Sequence, residues 1–325
     1  MKAVLHYRAT PGFRAAILSL ESDWLRIAIV DETDTQSLAR EMQDADVLLH
    51  VLARVTPAII AHAPALKLIH KLGVGVDTID LDVARARGIA VCNMPGANTR
   101  AVAELTLLLM LATLRQLSAL DTHTRLGRGW ALEPAVLDQL GELGGRTVGL
   151  VGFGAVGKCL TPMLHGIGAT VIYTSRHSAA VRVSDPSAKK PDTPARFVSL
   201  SDLLSTADVI SLHVPLTADT TGMIGKGAIQ KMKRGAVLVN TARGGLVDYE
   251  ALHHALTTGH LRGAGLDVFD AEPASAAHPL FQLRNVVVTP HVAWFTAETI
   301  QRSLGVFAEN CRRLRDGEPL LNRIV

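Results

Sequence analysis

The sequence predicts an α/β protein built from two doubly wound parallel-sheet domains, and three observations support this. Short apolar runs alternate with helical patterns along nearly the whole chain, as in parallel strands joined by helices. The runs are apolar at almost every position, which is typical of strands buried on both faces. A length of 325 residues also exceeds what a single hydrophobic core usually organises, so two domains are expected.

The first hundred residues contain five apolar runs separated by helical patterns. The predicted strands are Ala3–His6, Ile27–Val30, Val47–Leu49, Leu68–Ile69 and Ile89–Cys92. The predicted helices between them are Phe13–Leu20, Thr35–Met42, Pro57–Ala61 and Asp80–Arg87. No glycine-rich turn follows the first strand, so this series of elements carries no dinucleotide-binding signature.

A second series of elements follows a long apolar helix that is predicted to run from Asn98 to about Leu120. The strands predicted in this series are Arg146–Val151, Thr170–Tyr173, Val209–Leu212, Ala236–Val239, Gly263–Asp267 and Val286–Thr289. A closing helix is predicted from Ala297 to Leu314. Two stretches rich in glycine or proline, 127–145 and Ser184–Arg196, are predicted to be loops.

Composition excludes several classes of protein. The net charge of +3 comes from scattered lysines and arginines, so no nucleic-acid partner is predicted. The longest apolar stretch, Leu105–Leu114, is closed by an arginine and predicts a buried helix, so no membrane partner is expected. Cys92, Cys159 and Cys311 lack metal-ligand spacing, and the N-terminal apolar run is too short for a signal peptide. These features predict a cytoplasmic protein without a metal site.

The strongest motif is the glycine turn GFGAVG, which directly follows the predicted strand TVGLV and opens a helix. Gly152 provides a tight turn, Gly154 lets a pyrophosphate approach the backbone, and Gly157 lets the helix pack on the strand. Ala155 and Val156 begin the helix, whose free amides and positive dipole end favour phosphates. In this strand–turn–helix context, the motif predicts a dinucleotide cofactor rather than a purely structural turn.

The residues after the next strand indicate which nicotinamide cofactor is used. An NAD-specific site carries an acidic residue there, about twenty residues beyond the turn, to bind the ribose hydroxyls. This sequence has Ser175 and Arg176 instead, with His177 beyond them. A serine hydroxyl and a guanidinium can bind a 2′-phosphate, so NADP(H) is favoured over NAD(H). The alternative is that Arg176 is only a solvated surface residue and NAD(H) is still used.

Three stretches in the second half of the chain each place a charged or titratable residue just after a predicted strand. Arg243 lies in VNTARGGLVD, Glu272 in GLDVFDAEP and His291 in VVVTPHVAW. Reduction of a 2-keto acid needs a donor fork for the carboxylate and ketone, which Arg243 can supply. It also needs a proton donor, and His291 is suited to that role. A carboxylate at Glu272 would orient the imidazole and favour its protonated form.

These motifs together resemble the D-isomer-specific 2-hydroxyacid dehydrogenase family. The resemblance covers nearly the whole chain and includes the three stretches above, the glycine turn, KLGVGVDTIDL (71–81), PGANTRAVAE (95–104) and HVPLTADTTGMI (213–224). It implies an NAD(P)-dependent enzyme that transfers a hydride between the cofactor and a small 2-keto or 2-hydroxy acid. It implies a Rossmann cofactor domain at 98–292 and a flavodoxin-like substrate domain at 1–97 and 293–325, around a cleft. Family members are usually homodimers joined through the cofactor domains.

The resemblance also assigns roles to individual residues. It implies that Arg243, Glu272 and His291 form the catalytic set. The backbone amides of Val74 and Gly75 would receive the substrate carboxylate, and Asp267 would lie near the nicotinamide. Thr241 and Ala242 would line the cofactor through their backbone. Separately, Trp294 follows His291 closely enough to line the substrate pocket but can equally be a packing aromatic. Trp130 is similar: it either lies near a dimer interface or is a packing aromatic.

Glyoxylate and hydroxypyruvate are the first substrates that the sequence favours. Phosphoglycerate is disfavoured, because the chain stops at Val325 without room for a regulatory extension and no cationic cluster beyond Arg243 is evident near the pocket. A formate dehydrogenase is disfavoured because Glu272 stands where such relatives carry glutamine. Two alternatives stay open: a dehydrogenase of another small anion such as phosphite, and an NAD(H)-sensing corepressor or scaffold.

Overall fold

The computed structural model describes residues 1–132, 134–176 and 195–325. The described chain divides into two compact units. The first unit comprises Met1–Asn98 and Trp294–Val325, and the second comprises Thr99–Ala293. Each unit contains one sheet whose strand pairings are all parallel, which confirms the predicted fold class.

The first unit is built on a five-stranded sheet with the order β2-β1-β3-β4-β5. Its strands are β1 Lys2–His6, β2 Arg26–Val30, β3 Val47–His50, β4 Leu68–Lys71 and β5 Ala90–Cys92. Its helices are α1 Pro11–Leu18, α2 Thr35–Glu41, α3 Pro57–Ala61, α4 Leu81–Ala86 and the C-terminal helix Ala297–Asp316. This strand order is that of the flavodoxin-type doubly wound sheet, in which helices cover both faces.

Alternation of apolar side chains along the central strands produces two cores, one on each face of this sheet. Ala3 and Leu5 of β1 pack with the C-terminal helix, whereas Val4 packs with α2, α3 and α4. The C-terminal helix has a polar outer face and buries Phe307 completely. An amphipathic helix gains most of its stability from burying one apolar face in this way.

The second unit is built on a seven-stranded sheet with the order β12-β11-β10-β9-β6-β7-β8. Its strands are β6 Thr147–Val151, β7 Thr170–Thr174, β8 Arg196–Phe197, β9 Val209–Leu212, β10 Ala236–Asn240, β11 Leu261–Leu266 and β12 Val286–Val288. The strand order reverses between β6 and β9, as it does in the Rossmann fold. Ligands bind outside the carboxyl ends of the strands at such a switch point.

Seven helices of the second unit lie in the described residues, counting from the one that follows residue 98. They are α5 Thr99–Leu114, α6 Leu117–Arg125, α7 Pro134–Leu137, α8 Ala155–Gly166, α9 Leu200–Thr206, α10 Lys226–Lys231 and α11 Tyr249–Thr257; the C-terminal helix of the first unit is α12. Helices α5 and α8 pack on one face of the sheet with Leu109, Met110 and Leu160 among their fully buried residues. Helices α9, α10 and α11 pack on the other face.

The prediction of one helix from Asn98 to about Leu120 is wrong. Gln116 adopts the left-handed conformation, with φ of 49°, and separates α5 from α6. The chain returns at this point, and the amide of Gly141 donates to the carbonyl oxygen of Leu114 at 3.0 Å, which satisfies the end of α5. The leucines beyond the break continue the apolar pattern, so periodicity alone did not reveal it. None of the residues of α6 is buried.

Smaller differences lie in the two predicted loops. A single helical turn, α7, interrupts the stretch 127–145. Strand β8 begins at Arg196, the last residue of the other predicted loop, whose residues 184–194 lie outside the described part of the chain. In the described residues, no single helix has the length and apolar composition to span a membrane; α5 and α6 satisfy both only together, with a bend of 64° between them.

Candidate functional site

The three residues predicted to carry the chemistry follow three neighbouring strands of the second sheet. Arg243 follows β10, Glu272 lies in the segment after β11, and His291 follows β12. These strands pair in the order β12-β11-β10, all in parallel, so their carboxyl ends lie side by side. The topology thus brings together side chains that are up to 48 residues apart in the sequence (291 minus 243).

Glu272 and His291 form a direct pair. The Nδ1 atom of His291 lies 2.6 Å from Oε2 of Glu272, and the amide of Phe269 donates to Oε1 of Glu272 at 2.9 Å. Burial by itself would raise the pKa of Glu272, but the hydrogen bond and charge of His291 outweigh it, and the pKa is lowered. The carboxylate is therefore ionised near neutral pH and holds the imidazole in one orientation through Nδ1.

Arg243 is positioned by its own strand end. The side-chain amide of Asn240 donates to the carbonyl oxygen of Arg243 at 2.8 Å and accepts from the amide of Ala242 at 3.0 Å. A Cβ atom on Gly244 would lie 1.9 Å from the carbonyl oxygen of Phe269, so only glycine lets these two loops touch. Arg243 consequently lies near Glu272, and its charge contributes to the lowered pKa of that carboxyl.

The segment carrying His291 is held by Asp267, which is completely buried at the end of β11. Its Oδ1 atom accepts from Thr289 Oγ1 at 2.6 Å and from the amide of Val292 at 2.9 Å, and its Oδ2 atom accepts from the amide of Ala293 at 2.9 Å. The amide of His291 also donates to the carbonyl oxygen of Asp267 at 2.7 Å. His291 itself has φ of 54°, a left-handed conformation that is unfavourable for histidine and is maintained by these bonds.

Asp267 and the two residues after β10 were predicted to contact the cofactor, and their present contacts are internal. Burial raises the pKa of Asp267, against the opposing effect of its hydrogen bonds and of His291. The hydroxyl of Thr241 lies 2.8 Å from the hydroxyl of Thr106 in α5. The carbonyl oxygen of Ala242 accepts from Arg243 at 2.7 Å. These contacts fix the loops but do not test the predicted contact with a cofactor.

The glycine turn lies at the switch point of the sheet. Gly152 has φ of 100°, and a Cβ atom there would lie 2.6 Å from the carbonyl oxygen of His213 at the end of β9. A Cβ on Gly157 would lie 3.0 Å from the carbonyl oxygen of Gly152, whereas one on Gly154 would meet no atom within 4 Å. The first and third glycines are therefore needed for packing, and the second leaves an open backbone surface.

Helix α8 begins at Ala155, and no side chain caps it by a hydrogen bond. The first-turn amides of a helix without a cap are free for a ligand, and its dipole favours an anion. Together with the open backbone at Gly154, this donor set fits the pyrophosphate of a dinucleotide. Ala155 and Val156 would contribute the amides.

Ser175 and Arg176 follow β7, where the ribose end of such a cofactor is expected. Ser175 is half-buried and Arg176 is exposed. The Nη1 atom of Arg176 lies 3.7 Å from Oδ2 of Asp219, a residue in the loop that follows β9. His177, the next residue considered at the sequence level, lies outside the described residues.

Val74, Gly75 and Trp294 belong to the first unit. Val74 is exposed, and its carbonyl oxygen accepts from the side-chain amide of Asn93 at 2.8 Å, which fixes the loop after β4. Its own amide and that of Gly75 show no hydrogen bond to the described part of the chain, so they can receive an anion. Trp294 is buried and packs edge to face on Tyr7 and Phe295, with ring centroids 6.1 and 5.0 Å away. These contacts favour its packing role.

Sequence analysis did not single out four residues that shape this site. Asn240 and Gly244 lie within the arginine motif, and their value depends on contacts with other loops. His213 opens the motif after β9, and burial lowers the pKa of its imidazole to about 4. Asp219 lies six residues further on. His213 and Asp219 both follow the carboxyl end of β9, the strand next to β6, and this position is the one feature of the sequence that could have identified them. Among the described residues, no cluster of His, Cys, Asp and Glu could hold a metal ion.

A doubly wound sheet with an uncapped glycine turn at its switch point and a paired imidazole and carboxylate nearby defines a class, the Rossmann-type oxidoreductases. Comparison with known proteins identifies the family within this class. Residues 107–293 match the family model described as D-isomer specific 2-hydroxyacid dehydrogenase, NAD binding domain. The chain belongs to the D-isomer-specific 2-hydroxyacid dehydrogenase family, which confirms the resemblance seen in the sequence.

Individual relatives give the extent of similarity. The chain is 40% identical over 297 residues to a D-3-phosphoglycerate dehydrogenase of Mycobacterium bovis, covering 91% of this chain and 54% of that one. It thus spans about half the length of that relative. It is 37% identical to a glyoxylate reductase of Aeropyrum pernix, covering 89% and 87%. The structure of an NADPH-dependent glyoxylate/hydroxypyruvate reductase from Sinorhizobium meliloti, in complex with NADP and malonate, superposes with a TM-score of 0.80 at 26% identity, covering 100% and 96%.

Proposed function

We propose that this protein is an NAD(P)(H)-dependent oxidoreductase that transfers a hydride between the nicotinamide and a small 2-keto or 2-hydroxy acid. The observation that carries the proposal is the pair of Glu272 and His291, joined at 2.6 Å beside Arg243 at three adjacent strand ends. The cofactor supplies the hydride when bound. The protein then needs only to bind the acid, polarise its ketone and move one proton.

The three side chains meet those needs. Arg243 binds the substrate carboxylate and ketone oxygen through its planar donors. His291 gives a proton from Nε2 to the oxygen that becomes the hydroxyl, and takes it back in the reverse direction. Glu272 holds the ring and stabilises its cationic form. In the first unit, the amides of Val74 and Gly75 are the proposed donors to the substrate carboxylate.

The cofactor is proposed to lie on the glycine turn. The open backbone at Gly154 and the uncapped start of α8 support this. We propose that the second unit is the cofactor domain and the first the substrate domain, and the units found in the structure differ from the predicted boundaries by one residue. Ser175 and Arg176 favour NADP(H) over NAD(H), because they can hold a 2′-phosphate.

Glyoxylate and hydroxypyruvate are the proposed first substrates, which the named relatives from Aeropyrum pernix and Sinorhizobium meliloti support. Oxidation of D-3-phosphoglycerate is a second candidate. The observation that favours it is the 40% identity to the Mycobacterium bovis enzyme. Its keto product, a phosphorylated 2-keto acid, differs from hydroxypyruvate only by the phosphate, so one assay can separate the two.

The test is absorbance of NADPH and NADH at 340 nm with glyoxylate, hydroxypyruvate, phosphohydroxypyruvate, pyruvate and phenylpyruvate. We expect turnover with at least one of these acids and a loss of at least a hundredfold in kcat/KM for Arg243→Ala. Arg234→Ala is the matched control, because Arg234 is exposed and lies just before the same strand, at its opposite end. If the protein binds NADPH or NADH but oxidises neither in the presence of any of these acids, the result would instead favour a sensor or scaffold.

We also propose that the protein is a homodimer joined through the second unit. Helix α6 has no buried residue, and Leu126 and Trp130 beyond it are 62% and 92% exposed. Large apolar side chains with this much exposure support an interaction surface in this part of the second unit. Light scattering after size-exclusion chromatography should give twice the chain mass for the protein and a lower mass for Leu126→Ser/Trp130→Ser. A monomeric parent protein would refute the proposal.

A further inference from the structure

We propose that Asp219 helps to set the choice of cofactor, by competing with the 2′-phosphate of NADP(H) for Arg176. The proposal rests on the function proposed above and concerns the same cofactor site. Selectivity between NAD(H) and NADP(H) is ordinarily attributed to the segment after β7. The proposal assigns a role to a residue outside that segment. Although position 175 holds a serine, Asp219 places a carboxylate beside Arg176, at the expected ribose end of the site.

The placement of the two side chains carries the argument. Arg176 lies just after β7, and Asp219 lies in the loop after β9. Strands β7 and β9 flank β6 on its two sides, so the side chains approach each other beside the strand that ends in the glycine turn. The distance from Nη1 of Arg176 to Oδ2 of Asp219 is 3.7 Å. A guanidinium at this place is therefore already next to one carboxylate.

The loop that carries Asp219 is fixed by a set of short hydrogen bonds. The amide of Thr217 donates to Thr220 Oγ1 at 2.8 Å, and that hydroxyl donates to the carbonyl oxygen of Pro215 at 2.7 Å. Thr221 donates to the carbonyl oxygen of Thr217 through its amide at 2.9 Å and its hydroxyl at 2.8 Å. The backbone that carries the short Asp219 side chain is therefore held in place, whereas the longer side chain of Arg176 can turn towards it or towards a ligand.

The charges predict a larger effect on NADPH binding than on NADH binding. A 2′-phosphate bound by Arg176 would lie within several ångströms of the Asp219 carboxylate and be repelled by it. NADH has a hydroxyl there, which a carboxylate does not repel and can bind. Both side chains are largely exposed, 64% and 82%, so water and salt weaken the repulsion. A change of several-fold, rather than of orders of magnitude, is expected.

The test measures cofactor affinity without turnover, through the nicotinamide fluorescence of NADPH and NADH at low salt. Asp219→Asn should lower the Kd for NADPH by about three- to tenfold and change the Kd for NADH by less than about twofold. Arg176→Ala should raise the Kd for NADPH by at least about tenfold. In the double variant most of the gain from Asp219→Asn should disappear, because the competition acts through Arg176.

Asp82→Asn is the matched control, because it removes the same charge from an exposed pair with Arg85 in the first unit. It should leave both affinities unchanged. Equal effects of Asp219→Asn on the two cofactors, no effect on either, or the same gain with and without Arg176 would overturn the proposal while leaving the proposed function in place. Failure of the parent protein to bind either cofactor would overturn the proposed function itself.

Discussion

Replacing Asp267 by asparagine should impair catalysis through the geometry of His291. The substitution keeps the size of the side chain and an oxygen that can accept from Thr289 and the amide of Val292. The second oxygen becomes an NH₂ group, which then faces the amide of Ala293 donor to donor. Ala293 is buried, 4% exposed, so its amide cannot turn to water. The segment that holds His291 in a left-handed conformation loses its fixed end.

The expected magnitudes follow from this change. A buried donor left without an acceptor costs about 1–3 kcal/mol. For a unit of this size, that lowers Tm by roughly 2–12 °C at about 2–4 °C per kcal/mol. The left-handed conformation of His291 itself costs about 1–2 kcal/mol. The hydrogen bonds that Asp267 accepts from Thr289, Val292 and Ala293, here called the Asp267 clamp, at present offset this cost. If the backbone of His291 relaxes from that conformation, the fraction of molecules with the imidazole correctly placed falls by a factor of about 5–30, and kcat falls with it.

The assay is steady-state kcat and KM for the best 2-keto acid, together with Tm by circular dichroism and the Kd for the cofactor. Thr289→Val separates the clamp from a direct contact of Asp267 with the nicotinamide. It leaves the carboxylate intact but removes one hydrogen bond to it, so kcat should fall several-fold while the Kd for the cofactor stays unchanged. Thr289→Ser retains the hydroxyl and is the control. Unchanged kcat and Tm in both Asp267→Asn and Thr289→Val would refute the clamp.

Three further predictions concern the pair, the turn and the acid stability of the fold. Glu272→Gln replaces the charged acceptor of the 2.6 Å bond to His291 by a neutral one, so the ring is held less firmly and kcat/KM for reduction should fall about five- to tenfold with the Kd for the cofactor unchanged; an unchanged kcat/KM contradicts this. Gly154→Ala has space for its Cβ, so this variant should keep the parent Tm but lose affinity for the cofactor. Gly152→Ala should lower both the Tm and the affinity, because a Cβ there meets backbone atoms and the φ is positive. Equal Tm values for the two variants would contradict this prediction. Burial lowers the pKa of His70 to about 4, whereas a histidine in the unfolded chain has a pKa near 6.5. Between pH 6.5 and 4 the unfolded chain therefore binds a proton at this residue that the folded chain does not, and His70 alone contributes a fall of about 3 kcal/mol to the free energy of unfolding. By urea titration, His70→Gln should lose about that much less than the parent protein over this range; identical pH dependence of the two would oppose the reasoning.

The sheets were predictable from the sequence because nearly all their strands are buried on both faces. A short run such as Val209–Leu212, apolar at nearly every position and followed by a loop, is typical of a strand that is buried on both faces. The glycines at 152 and 157 identify the strand before them as the one at the switch point. The break at Gln116 was not predictable, because the leucines on either side continue one period. What ends α5 is a bond from Gly141, a residue that only the folded chain brings near.

The candidate site was likewise predictable from the sequence only in part. Chemical type and spacing after a strand were enough to propose Arg243, Glu272 and His291 as a group, and the structure pairs the last two. The residues that hold them were not evident, since the role of Asp267 depends on which donors reach its two oxygens. Likewise, the ion pair of Arg176 involves a loop on the far side of β6. Sequence patterns therefore identified candidate reactive groups, but not the contacts that fix their geometry.

Parallel topology separates the residues that fix the candidate site from those that would contact a ligand. All strands of the second sheet end at one edge, so the cofactor turn after β6 and the proposed catalytic residues after β10, β11 and β12 occupy neighbouring loops. The contacts that fix the catalytic loops, through Asn240, Gly244 and Asp267, are made among those loops and the strand ends. Side chains that point away from the contacts, towards a ligand, can change without disturbing them. Selectivity for substrate and for cofactor can therefore vary independently of the pair formed by Glu272 and His291.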